Sequence, residues 1–159
     1  MIAEESVAGL LQLMSAAEPG PAAGSAAALT AGLAAALLGK TARLSGEYLD
    51  DAGALATAAD TLRELAQQLA TDDANGVRAM LSGDTDPPED SMPPDGTGPP
   101  DPNAIPRRIG ELATDVARLA THLATYANPT LIADAHTAGH LARAARASTE
   151  AIIRSNQGQ

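Results

Sequence analysis

From Ala26 to Leu38 the chain is built almost entirely of alanine, glycine and leucine, and no charged residue interrupts it. Alanine has the highest helix propensity, and side chains of methyl size let a second helix or a ligand approach the backbone closely. Just upstream, Pro19-Gly20-Pro21-Ala22-Ala23-Gly24-Ser25 punctuates the backbone and sets a serine where an N-cap belongs. The pattern predicts a tight loop that feeds a buried helix. The helix is a candidate core and the loop a candidate binding site.

What surrounds such a helix follows from what the chain lacks. Hydrophobic residues make up 45% of the sequence, yet there is no Phe or Trp and only two Tyr, so the apolar mass is alanine and leucine. Residues that suit pleated surfaces are scarce, which predicts an all-α bundle. At 159 residues the chain suits one domain with a full core, spanning 1–159. A net charge of −10 argues against a nucleic-acid partner, since phosphates are held by basic stripes. The absence of cysteine excludes disulfides and thiolate sites. Glu4 and Glu5 occupy the region where a signal peptide would be basic. The run from Ala26 to Leu38 is shorter than the roughly 20 residues that span a bilayer. These features predict a soluble cytoplasmic protein with no membrane partner.

Helical spacing recurs along the chain. Ile2, Val7, Leu10, Leu11 and Met14 mark a first amphipathic helix that ends near Glu18-Pro19-Gly20. The second starts near Ser25 and runs toward Tyr48. The third covers about Gly53 to Leu81, with a bend expected near Asn75-Gly76. Asp72 and Asp73 fall inside it, where a buried carboxylate is costly unless paired, so one of the two is exposed or functional. Ser82 to Asn103, rich in proline and acid, reads as a flexible loop. A fourth helix begins near Pro106 and stops at Asn128-Pro129, and a fifth follows Asp134. His136 and His140 stand one turn apart without a third ligand, so no metal site is expected. Tyr48 and Tyr126 are expected at helix edges.

Three stretches carry a resemblance to a known family. Pro21-Ala22-Ala23-Gly24-Ser25-Ala26-Ala27-Ala28-Leu29 resembles a Pro-Gly-Gly-Gly-Ser loop that leads into an Ala-rich helix. Ala42-Arg43-Leu44-Ser45, later in that helix, matches an Ala-Asn-Leu-Thr string. Asn128-Pro129-Thr130-Leu131-Ile132-Ala133-Asp134-Ala135 resembles an Asn-Pro to Ser-Asp-Ala link. Asp72-Asp73-Ala74 and Ile105-Pro106 follow the same order more loosely. In these features the chain resembles the cyclodeaminase/cyclohydrolase family of helical folate-handling domains. It departs from the family pattern at Ala22 and Ala23 in place of glycine, at Arg43 in place of asparagine, and at Ala133 in place of serine.

The resemblance implies a homodimeric enzyme acting on the carbon that bridges N5 and N10 of a tetrahydrofolate derivative, with no permanently bound cofactor. A cyclohydrolase adds water to the methenyl bridge, whereas a cyclodeaminase forms that bridge from a formimino group with loss of ammonia. Both reactions need proton transfer and a counter-charge to a cationic amidinium, work suited to a carboxylate. Asp134 is the first catalytic candidate, with an N-cap role compatible, and Asp73 is the second. Gly24 and Ser25 are candidates to contact the ligand through backbone N–H groups and a hydroxyl, Arg43 to pair with an anionic tail, and Asn128 to orient the substrate. The alternatives are a relative turned to another ring-closing or ring-opening reaction, and a helical ligand-binding module without chemistry.

Overall fold

The computed structural model describes residues 2–82 and 101–158. Among them the elements are a 3-10 turn at Ile2–Glu4, α1 (Val7–Ser15), α2 (Ala23–Arg43), α3 (Ala52–Ser82), α4 (Ala104–Tyr126), a second 3-10 turn at Pro129–Leu131, and α5 (Ile132–Gln157). No strand occurs among these residues. The fold is all-α, as the composition predicts. The expected Pro-rich loop lies for the most part outside the described residues.

Local chemistry sets the boundaries. The Ser6 side chain accepts a hydrogen bond from Gly9 N (3.0 Å) and starts α1. Pro106 lies in the first turn of α4, where its missing N–H costs nothing. Ahead of that turn, Asp101 accepts from Asn103 N (2.8 Å) and pairs with Arg107, which tethers the entry to the helix. Asn128 Oδ1 accepts from Thr130 N (3.0 Å) and caps the second 3-10 turn.

Several expectations are corrected. α2 starts at Ala23 rather than Ser25; Ala22 is its N-cap, so Ser25 sits in the first turn. The same helix stops at Arg43, and the chain to Tyr48 goes on as turns. α3 continues as helix through Asn75-Gly76. α5 starts at Ile132, which puts Asp134 inside its first turn, and its N-cap is Leu131. There the macrodipole favours a carboxylate, but Asp134 does not cap the helix.

α2 is the axis of the bundle, packed against α3, α5 and α4, while α4 also packs along α5. One cluster gathers Ala34, Ala35 and Leu38 with Val116, Leu123 and Ala138. The other joins Ala27, Ala28 and Ala31 to Leu69, Ile109 and Leu112. Fully buried Leu38, Leu69, Ile109 and Leu123 each contribute about 1.5–3 kcal/mol of hydrophobic stabilisation. Where α2 meets α3 the helices are very close: a Cβ at Gly32 would lie 3.1 Å from that of Ala66. Such an approach needs residues without bulk, and the alanine run supplies them. Extended at both ends beyond the apolar run, α2 is long and apolar enough to cross a membrane by length and composition, though 56% of that window is buried inside the bundle.

Candidate functional site

At the N-terminal end of α2 the structure brings together Gly24, Ser25 and Asp73. Ser25 is fully buried. Its backbone N–H donates to Asp73 Oδ2 at 2.7 Å, and its Oγ lies 2.7 Å from the same oxygen. Ser25 Oγ is also 3.1 Å from the carbonyl of Ala70, one turn earlier on α3. The serine expected to cap its own helix instead grips a carboxyl from the neighbouring one.

Gly24 makes that grip possible. A Cβ at position 24 would collide with Asp73 Oδ1 and stand 2.5 Å from Cγ, so the carboxyl occupies the space a side chain would fill. Ala22, by contrast, has φ −127°, an extended conformation open to any residue. Of the glycines in the family's loop pattern, this chain retains the one against which a carboxyl packs.

Burial raises the pKa of the Asp73 carboxyl, and the side-chain and backbone bonds from Ser25 act in the opposite direction. Oδ2 is held by Ser25, while Oδ1 has no hydrogen-bond partner among the described residues. A carboxyl with one oxygen anchored and the other without a hydrogen-bond partner is held in a fixed orientation that suits proton transfer.

Asp134, Arg43 and Asn128 gather at the opposite end of α2. Lys40 Nζ is 3.9 Å from Asp134 Oδ2, and both side chains are substantially exposed. About 22 Å of helix separates Ser25 from Lys40 at the standard rise. Asp73 and Asp134, the two catalytic candidates, therefore stand at opposite ends of α2 within one chain. Arg43 is paired with Asp60, to which Arg63 also reaches at 3.8 Å. Asn128 is committed to the fold. Its N–H donates to buried Ser45 Oγ (3.0 Å) and its Nδ2 contacts the Leu44 carbonyl (3.5 Å), which ties the link after α4 to the end of α2.

Lys40, Ser45 and Asp60 were missed in sequence, because each acquires its neighbour from a distant segment. His140 Nδ1 faces Arg143 Nη2 at 2.9 Å, a cation where a metal would need a free nitrogen. No group of three metal-ligating side chains occurs among the described residues. His122 packs against Tyr126 with ring centroids 5.1 Å apart, and its Nε2 is buried without a hydrogen-bond partner.

The architecture is thus an all-α bundle around a small-residue helix, with a seated carboxyl at one end. Among solved structures it is similar to the formiminotetrahydrofolate cyclodeaminase of Thermotoga maritima, with a TM-score of 0.81 and 17% identity over 99% of this chain and 81% of that one. The likeness establishes a shared fold. No protein-family model matches the sequence, and neither does any curated protein.

Proposed function

We propose that this protein is a cytoplasmic, homodimeric enzyme of folate one-carbon chemistry that acts on the N5/N10 bridge of tetrahydrofolate as a cyclodeaminase or cyclohydrolase. The observation that supports this reading is the Asp73 carboxyl, seated by Gly24 and Ser25 with Oδ1 free of hydrogen bonds among the described residues, on the fold of a known cyclodeaminase. Asp73 serves as the acid or base, Ser25 positions it, and the carboxylate form balances the cationic amidinium. Asp73 thus takes first place over Asp134, which is more exposed and only loosely paired.

The dimer gives Asp134 a part as well. The outward side of α2 shows Leu29, Leu33, Ala36 and Leu37, an uncharged strip with Leu33 near its middle. If two copies pair along that strip about a two-fold axis perpendicular to α2, their α2 helices run antiparallel. Ser25 lies as far before Leu33 as Thr41 lies after it, so Ser25 and Asp73 of one copy approach Lys40 and Asp134 of the other. The two acids then flank one ligand.

Purified protein incubated with 5,10-methenyltetrahydrofolate, or with the 5-formimino form, tests the reading through the near-ultraviolet absorbance of the methenyl bridge. Turnover above the buffer rate is expected with one of them. A rate equal to buffer with both overturns the assignment.

A further inference from the structure

The first helix is the one element that its own bundle leaves bare. No residue of α1 is buried. Val7 is 76% and Leu11 62% exposed, one turn apart on the same face, while Leu10 and Met14 are covered only in part. A helix of nine residues is too short to hold in water on propensity alone and needs a surface to pack on. Within the chain α1 has tethers at its two ends. The Ile2–Glu4 turn ahead of it packs on α3, and the loop after it leads into α2.

The pairing along α2 lacks apolar area in turn. Leu29, Leu33, Ala36 and Leu37 supply at most about 400 Å² per copy, where a stable interface buries roughly 800 Å² on each side. The register shows where more is at hand. Leu44 lies about three turns beyond Leu33 on the same face and is exposed. With the two-fold axis at Leu33, Leu44 comes level with the partner's Ala22, the N-cap at which the partner's α2 begins. Leu44 and Tyr48, which is exposed just past it, therefore overhang the helix that covers the rest of the strip. The partner's next element there, one short loop away, is its α1.

A lipid surface is a poorer match for the bare stripe. Helices that lie in a membrane interface carry Lys and Arg on their polar face, whereas the chain up to Gly39 holds Glu4, Glu5 and Glu18 and neither of those bases.

We infer that α1 packs across the subunit boundary, its stripe of Val7 and Leu11 covering Leu44 and Tyr48 of the partner subunit, with the reciprocal contact at the other end of the dimer. The two arms roughly double the apolar area of the α2 strip and bring it to the size of a stable interface. Each α1 then lies beside the site where Ser25 and Asp73 of one copy meet Lys40 and Asp134 of the other. The inference rests on the antiparallel dimer proposed above and is tested without a folate.

The chain has no cysteine, so single introduced thiols report the contact. Leu11→Cys and Tyr48→Cys proteins are refolded together and oxidised mildly, with Leu44→Cys in place of the second if that variant fails to fold. A disulfide-linked species with the mass of one copy of each, absent from either protein alone, supports the inference. A dimer dissociation constant raised about tenfold or more by Leu11→Glu, with the melting of the diluted monomer unchanged, supports it independently. No mixed link and an unchanged constant, where Leu33→Cys still joins two copies, overturn the arm and leave the dimer standing. If Leu33→Cys fails to link as well, the dimer falls with the arm. Binding to anionic-lipid vesicles that Leu11→Glu abolishes would give the stripe to a membrane and overturn the inference. These outcomes hold whatever the folate assays give.

Discussion

The Asp73 carboxyl rests in the space left by the missing side chain of Gly24. That relationship joins α2 to α3 and seats the carboxyl on Ser25, so position 24 governs stability and, under the proposed function, chemistry.

Gly24→Ala is expected to push Asp73 off Ser25 and to destabilise the protein by about 1–3 kcal/mol, the usual range for overpacking. Gly53→Ala is the matched control: nothing lies within 4 Å of its added methyl, and it should be neutral or stabilising by up to about 1 kcal/mol. Urea unfolding of the two variants gives the comparison. Turnover should fall in the first and persist in the second.

Stability should depend on pH through Asp73, with a sign set by its raised pKa. The unfolded chain releases this proton first. The stability tied to Asp73 is therefore fully present below the ordinary carboxyl pKa and is lost as pH rises through the raised folded value. Asp73→Asn removes that slope. Chemical denaturation of both proteins across this range should show wild type losing stability relative to the variant as pH increases.

Asp101 gives the opposite sign. The hydrogen bond from Asn103 N, aided by Arg107, holds its carboxyl below the usual range. Its contribution is present above the unfolded carboxyl pKa and is lost as pH falls through the lowered folded value. Asp101→Ala should cost about 0.5–1 kcal/mol at neutral pH, since the group is exposed, and little in acid. Amide exchange in the first turn of α4 would report the loosening locally.

Asn128→Ala separates a structural role from ligand binding. The variant keeps the backbone bond to Ser45 and loses the side-chain bonds to Leu44 and Thr130, which predicts a loss of about 1 kcal/mol of stability with KM unchanged for any folate turned over. A raised KM at unchanged stability would return this residue to the ligand site.

Leu33 tests the dimer. It is 58% exposed, and the chain has no cysteine. Leu33→Cys should form a disulfide-linked dimer on mild oxidation, and Leu33→Glu should be monomeric in sedimentation, with stability within about 0.5 kcal/mol of wild type at dilutions where both are monomers. Monomeric wild-type protein at all concentrations would remove the pairing of Asp73 with Asp134.

The helices were legible in the sequence because alanine and leucine at helical spacing leave few other folds available. Of the site, the part carried by a local irregularity could be read: an acid inside α3 and a glycine-serine pair at the start of α2 both break their surroundings. The meeting of Ser25 with Asp73 could not, for it depends on how two helices slide into register. The distance of Asp134 and Asn128 from Ser25 within one chain was hidden for a related reason. A motif records neighbours along the chain, and these two lie a full helix length from Ser25.

A seam of alanine against glycine, as at Gly32 and Ala66, has almost nothing left to trim and no room to add. Its residues are pinned in size, so a fold of this kind changes over time mainly through positions that face away from the axis. The course of the backbone is then set more tightly than the identity of the residues on its outer faces.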